Sequence, residues 1–232
     1  MKPIFPVIAV AVLAGLLPSL GRADSFDVSL NTSALSGTTQ ILAFGLNDSD
    51  GSSNTISLAS FNFGAGSAVS GTQDCTLGGF LSGAGCSGSL TSGVTLTDSS
   101  TAEVFFDQEF NVGSSLSFQM TTTNNFAGGI PDGFAMYLCN TTFSSCYSDD
   151  SVSGAMLILG LGGTKLTPAS FTLNGASAQD LPAPVVTVPT STGGGKTVPE
   201  PPSALLLGIS IVALALRSCV LRGPRREVVL RS

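Results

Sequence analysis

A short acidic segment at residues 47–54 has the residue types that bind calcium. Its sequence, NDSDGSSN, places Asp48 and Asp50 two positions apart, with Gly51 directly after them. Alternating oxygen ligands and a glycine at the bend suit a calcium loop, but the standard twelve-residue loop also needs an acid at its last position, which here is Ala59. The same residues are typical of a hairpin turn, in which glycine supplies positive φ. The sequence therefore predicts either a turn or a calcium site formed by Asp48 and Asp50.

A second pair of acids, Asp107 and Glu109, falls on one face of an expected strand, with Cα atoms about 6 to 7 Å apart. Two carboxylates at such a distance are the groups that glycoside hydrolases use. However, the chain has no tryptophan and only two tyrosines, so a sugar-stacking cleft is hard to build. The absence of histidine excludes Ser-His-Asp and Cys-His catalysis as well as imidazole-bound metals. We expect no enzymatic activity and assign no catalytic residue.

Four of the five cysteines form two close pairs in the sequence, Cys75 with Cys86 and Cys139 with Cys146, while Cys219 stands alone near the C-terminus. Four cysteines allow three pairings. We favour the pairing of near neighbours, because each pair flanks a Gly- or Ser-rich loop that lacks apolar anchors. Closing a loop of about ten residues contributes roughly 2 to 3 kcal/mol. Structural disulfides of this kind are typical of exported proteins.

The formal net charge of −6 is unevenly distributed along the chain. Between residues 24 and 203 the basic residues are Lys165 and Lys196 alone, against many acids. The C-terminal end is basic and carries Arg217, Arg222, Arg225, Arg226 and Arg231. Because an acidic surface repels phosphate backbones, we expect no nucleic-acid partner.

Alternation of apolar and polar residues dominates residues 24–180, and no stretch has a helical period over ten residues. A change of apolar parity predicts a bulge near Ala59 and Ser60. About nine or ten strands joined by Gly- and Asn-rich turns predict an all-β fold, a two-sheet antiparallel sandwich of jelly-roll type. The expected strands cover residues 25–30, 41–46, 56–63, 89–97, 103–110, 115–122, 134–139, 155–161 and 171–173.

Residues 1–23 have the features of a signal peptide that is read by the Sec machinery. Lys2 supplies the positive start, residues 4–17 are mostly apolar, and small residues occupy positions −3 and −1 of a cut before Asp24. The alternative is an anchor helix that is not cleaved. Cleavage is favoured because the apolar run is short and a small-x-small site follows it.

The chain after the expected domain divides into a stalk and a tail. The domain is expected to end near Asp180, and residues 181–197, rich in Pro, Thr and Gly, are predicted to form an extended stalk. Residues 198–232 contain an apolar segment at about 204–221, long enough as a helix to span about 27 Å if Arg217 reaches the headgroups. Neighbouring arginines place the final residues on the cytoplasmic side.

The tail begins with the motif Val198, Pro199, Glu200 and Pro201, and the apolar segment and the basic residues Arg217, Arg222, Arg225 and Arg226 follow it. It resembles the PEP-CTERM sorting signal of Gram-negative bacteria, in which a Pro-Glu-Pro motif precedes one transmembrane helix and a basic cluster. The resemblance covers roughly residues 198–226. It implies that an exosortase, a membrane-embedded transpeptidase-like enzyme, processes the tail at the inner membrane and that the cargo reaches the cell surface or the extracellular matrix. The alternative is an ordinary C-terminal anchor.

Four runs stand out in residues 24–188: SFDVSLNTS at 25–33, DSDG at 48–51, FNFGAG at 61–66 and NNFAGGIPDGFAMY at 124–137. Through them most of this region resembles a family of PEP-CTERM cargo proteins that has no assigned activity. This resemblance supports the expected localisation and leaves the molecular task open.

The segment PDGFAMYL at 131–138 resembles the strand entry of legume-type lectins, which are two-sheet jelly rolls. In that family the Asp accepts hydrogen bonds from sugar hydroxyls and a Gly-rich backbone donates. The resemblance implies that Asp132 accepts from a sugar and that Gly128 and Gly129 are backbone donors. The alternative is a turn that leads into a buried strand.

These patterns lead us to expect an exported, exosortase-sorted protein of the cell surface or extracellular matrix, without enzymatic activity and with a structural, biofilm-associated role. The alternative is a carbohydrate-binding module, calcium-dependent or not, that binds the cell's own exopolysaccharide.

Overall fold

The computed structural model of the chain describes residues 23–79, 81, 83–98 and 103–189. Residues 1–22 of the predicted signal peptide, the apolar segment at about 204–221 and the sorting motif lie outside these ranges. Within the described ranges, no helix has the length and apolar character needed to cross a membrane.

The alternating segments form antiparallel strands, joined by turns and by three short 3-10 helices in the described residues. The strands are β1 Ala23–Asn31, β2 Thr39–Asn47, β3 Thr55–Asn62, β4 Ser67–Ala68, β5 Cys86–Ser89, β6 Gly93–Thr97, β7 Glu103–Asn111, β8 Ser115–Thr123, β9 Asp132–Cys139, β10 Leu157–Leu161, β11 Phe171–Leu173 and β12 Val185–Thr187. The 3-10 helices are Ser33–Leu35, Pro168–Ser170 and Ser177–Gln179.

These strands form two six-stranded sheets. The first has the order β12-β1-β8-β3-β6-β5 and the second the order β11-β10-β9-β2-β7-β4. One face of each sheet contributes to a common core, because every second side chain along a strand points to the same side. At its centre Phe44 of β2 meets Phe118 of β8 edge to face, with ring centroids 5.7 Å apart. The predicted all-β fold with two antiparallel sheets is confirmed.

The predicted bulge lies in β3. Ser60 has a φ of 56°, and the pairing of β3 with β8 shifts register between Ala59 and Asn62. This shift turns the chain so that Phe63, beyond the bulge, still reaches the core. By contrast, the single strand expected at 89–97 is wrong, since β5 and β6 form a hairpin with Leu90 buried at its turn.

The folded domain extends beyond the predicted boundary near Asp180. Strand β12 pairs with β1, with Val186 opposite Val28, and Val186 is buried. The compact unit continues to Pro189. The first residues of the predicted stalk therefore complete the edge of the first sheet.

Strand register brings several loops to one end of the sandwich. The last residue of β2, Asn47, pairs with Gly133 near the start of β9. The first residue of β3, Thr55, pairs with Thr97 at the end of β6. The loop at 48–54, the start of β9 and the end of β6 therefore meet at this end, although they lie far apart in sequence.

Candidate functional site

The centre of the candidate site is the carboxylate of Asp132, the first residue of β9. Its side chain is 0% exposed. Oδ1 accepts hydrogen bonds from the amides of Ser49 and Asp50, at 2.7 and 3.2 Å. Oδ2 accepts from Nδ2 of Asn54 at 2.7 Å and from the hydroxyl of Ser52 at 3.3 Å. One buried carboxylate thus holds the whole loop between β2 and β3.

This position differs from the one that the lectin resemblance implies. Because Asp132 is buried and both of its oxygens accept hydrogen bonds from the loop, a sugar hydroxyl has no access to it in this structure. Gly128 and Gly129 are exposed and have φ values of 106° and 98°. The structure therefore corrects the expected role of Asp132 from sugar acceptor to anchor of the loop.

Two further acids lie beside Asp132. Carboxylate oxygens of Asp48, Asp50 and Asp132 all lie within 4.8 Å of one another. Asp50 is fixed by the amide of Ser52, which donates to Oδ1 at 2.7 Å, and by the amide of Ala127, which donates to Oδ2 at 2.8 Å. The hydroxyl of Ser52, together with these amides, lowers the pKa of Asp50. The acids of the predicted calcium loop are therefore joined by a third acid from a distant strand.

A fourth acid, Asp98, directly follows β6 and is linked to Asp132 through Asn54. Its side chain is 0% exposed, and its Oδ1 accepts from the amide of Asn54 at 2.6 Å. Its Oδ2 is buried and has no hydrogen-bond partner among the described residues. Burial, followed by the charges of Asp132 and Asp48, raises the pKa of Asp98 to about 6. Sequence reasoning missed Asp98, since it belongs to no recognisable motif, whereas Asn54 is the last residue of the predicted calcium segment 47–54.

A separate groove lies on the outer face of the second sheet. It has a volume of about 470 Å³, within the range typical of small-molecule sites. Gly45, Gly133 and Ala135 are among the small residues that line it, and Tyr137 and Glu103 add polar groups. Burial, followed by the charge of Glu103, raises the pKa of Tyr137. This groove combines an aromatic ring, a carboxylate and open backbone.

The predicted acid pair on β7 lines another, smaller pocket. Asp107 and Glu109 share a cavity of about 270 Å³ with Asp74 and Phe143. Asp74 is committed to its own loop, and the hydroxyl of Thr76 lowers its pKa. Asp107 is 7% exposed, and burial, followed by the charge of Asp74, raises its pKa to about 6. The structure thus brings the predicted acid pair into one pocket.

Both disulfides have the pairing expected from the spacing. Cys75 is bonded to Cys86 at the start of β5, and Cys139 at the end of β9 is bonded to Cys146. The bonded cysteines are 11 and 7 positions apart in the sequence. Because such bonds persist in oxidising compartments, they indicate an extracytoplasmic protein.

Comparisons with known proteins found no similar protein. A scan against protein-family models found no match, and searches of curated proteins and of solved structures also returned none.

Proposed function

We propose that this chain is an exported, non-enzymatic protein of the cell surface or extracellular matrix, delivered through its C-terminal sorting signal. The observation that carries the proposal is the pair of disulfides, Cys75–Cys86 and Cys139–Cys146, because such bonds belong to proteins that fold outside the cytoplasm. The tail supports sorting to the surface. It has the order of a PEP-CTERM signal, in which the motif Val198–Pro201 is followed by the apolar segment and then by the arginines. An exosortase at the inner membrane would process it after Sec export.

A structural role is supported by the use that the domain makes of its acids. Asp132 anchors the loop between β2 and β3, and Asp74 caps the turn that begins at Cys75. Asp149 binds the amide and hydroxyl of Ser177, which ties two loops together. Carboxylates that hold loops in this way stabilise the sandwich rather than face a substrate.

The sorting half of this proposal is tested by two matched substitutions in the producing bacterium. Glu200→Gln removes the carboxylate of the motif, and Glu227→Gln removes one carboxylate from the tail outside it. We expect Glu200→Gln to retain the protein in the inner-membrane fraction and Glu227→Gln to leave surface delivery unchanged. Equal surface delivery of both variants would contradict processing by an exosortase.

The outer-face groove favours a second candidate function, which is binding of the cell's own exopolysaccharide. Sandwiches of jelly-roll type, the class predicted for this chain, include lectins. A side chain at Gly45 would contact the rings of Phe105 and Tyr137, with its Cβ 3.5 and 3.8 Å from them, so glycine keeps the floor of the groove open. Tyr137 and Glu103 are then available for stacking and hydrogen bonding to a sugar.

A glycan-binding assay with the purified protein tests this second function. Glu103→Gln is compared with Glu109→Gln, since both acids lie on the same face of β7 but Glu109 lies outside the groove. Loss of binding in Glu103→Gln alone supports the groove. Absence of binding by the unmodified protein, or equal loss in both variants, rejects it.

A further inference from the structure

Three carboxylates converge at one end of the sandwich in an arrangement that fits a cation. The oxygens of Asp48, Asp50 and Asp132 lie within 4.8 Å of one another. Ligands on opposite sides of a calcium ion, each about 2.4 Å from it, are about 4.8 Å apart. Three carboxylate oxygens at this spacing are close enough together to hold one ion between them.

A second, independent observation concerns the charge behind these ligands. Asp98 has no exposed surface, and its Oδ2 has no partner in the described part of the chain. Asn54 joins Asp98 to the group, because its amide binds Asp98 and its side-chain Nδ2 binds Asp132. A buried carboxylate oxygen without a donor is costly unless a cation or a proton neutralises it.

Among the residues that the structure describes, no basic side chain pairs with these acids. Lys165 is the one basic residue in the described ranges and is exposed. The charges that act on Asp98 come from Asp132 and Asp48, and both are acidic. Four carboxylates thus occupy one end of the domain without an ion-pair partner among the described residues.

We propose that this end of the sandwich binds one Ca²⁺ through carboxylate oxygens of Asp48, Asp50 and Asp132, with the buried carboxylate of Asp98 as the charge behind them. The ligand set is all oxygen, and the chain has no histidine. The four cysteines of the described domain form disulfides, so none of them offers a free thiolate as a soft metal ligand. Ca²⁺ is favoured over Mg²⁺ because it accepts irregular geometry, whereas Mg²⁺ requires a near-ideal octahedron.

Binding would also fix the neighbouring loop between β8 and β9. Asp50 holds this loop through the amide of Ala127, and the loop continues to the exposed side chain of Ile130, which is 73% exposed. A cation at Asp50 therefore restrains both loops together. Because the chain has no tryptophan, Ile130→Trp introduces a single fluorescent reporter close to the site.

The test is calorimetric titration of CaCl₂ into the oxidised full chain after removal of divalent ions with EDTA. We expect one ion per chain, with a dissociation constant on the order of 10⁻⁴ M, as in extracellular calcium modules. Emission of the Ile130→Trp variant should change with the same midpoint. MgCl₂ at equal ionic strength should give neither response.

A matched pair of double variants identifies the ligands. Asp48→Asn/Asp50→Asn should weaken binding at least tenfold. Asp149→Asn/Asp150→Asn removes the same charge from another loop and should leave the affinity within twofold. Far-UV circular dichroism confirms that each variant is folded. No heat at about 10 mM CaCl₂, an equal response to Mg²⁺ or an equal loss in both double variants would overturn the proposal.

Asp98→Asn gives a readout that a purely structural acid would not give. Without calcium this variant should be more thermostable than the unmodified protein, because a buried charge is removed. Its affinity for Ca²⁺ should nevertheless fall at least threefold. If the Asp98→Asn protein gains stability but binds Ca²⁺ with unchanged affinity, Asp98 does not contribute to the site.

Discussion

The buried carboxyl of Asp107 makes the stability of the domain depend on pH in an unusual direction. Its pKa is raised to about 6, first by burial and then by the charge of Asp74. A carboxyl whose pKa is higher in the folded than in the unfolded chain binds its proton more tightly when folded. It therefore opposes folding at neutral pH, and this opposition disappears as the pH falls from above 6 toward 3.8.

The magnitude follows from the two pKa values. With about 6 in the folded protein and 3.8 in the unfolded chain, ionised Asp107 costs at most about 3 kcal/mol at pH 7.5. The cost falls to about 1.6 kcal/mol at pH 5 and about 0.6 kcal/mol at pH 4. Asp107→Asn keeps the shape of the side chain and removes its charge. We expect this variant to be more stable by these amounts, with a gain that decreases as the pH falls.

The assay is urea unfolding of the oxidised protein at several pH values, followed by far-UV circular dichroism because tryptophan is absent. Asp150→Asn is the control of opposite sign, since the hydroxyl of Ser153 and the amide of Val152 lower the pKa of Asp150. This control should lose stability above about pH 4, and the loss should vanish below the folded pKa of Asp150. A gain for Asp107→Asn below about 0.5 kcal/mol at pH 7.5, or one that is independent of pH, would refute the reasoning.

Two further substitutions test the loop anchor and the disulfides by unfolding in EDTA. Asp132→Ala leaves the donors of the loop between β2 and β3 unpaired and should lower the free energy of unfolding by about 2 to 4 kcal/mol; a loss below about 0.5 kcal/mol would contradict this role. Cys75→Ser/Cys86→Ser opens a loop whose ends are 11 positions apart and should cost about 2 to 3 kcal/mol of folding stability. Peptide mapping without reduction should recover Cys139 linked to Cys146, and a link from Cys75 to either of them would contradict the structure.

The strands were predictable because each sheet buries one face. Phe26, Val28 and Leu30 of β1 all point to the core, so apolar residues occupy every second position of this strand. The bulge at Ser60 could be located by the same reasoning, since it shifts the period by one residue. The disulfides were predictable because each closes a short local loop.

The candidate calcium site could be predicted only in part. Asp48 and Asp50 lie two positions apart in one local motif, whereas Asp132 and Asp98 reach them through the pairing of β2 with β9 and of β3 with β6. Such long-range pairing leaves no local pattern around a single aspartate. The same reason explains β12, whose short Val185–Thr187 segment is flanked by prolines and is recognisable as a strand only from its pairing with β1.

The most direct test of the proposed function is the intact mass of the protein purified from the surface or matrix of the bacterium that produces it. Export and sorting predict a chain that begins at Asp24, retains both disulfides and lacks the residues after the motif Val198–Pro201. A surface protein that still carries Ser232 would contradict processing of the tail.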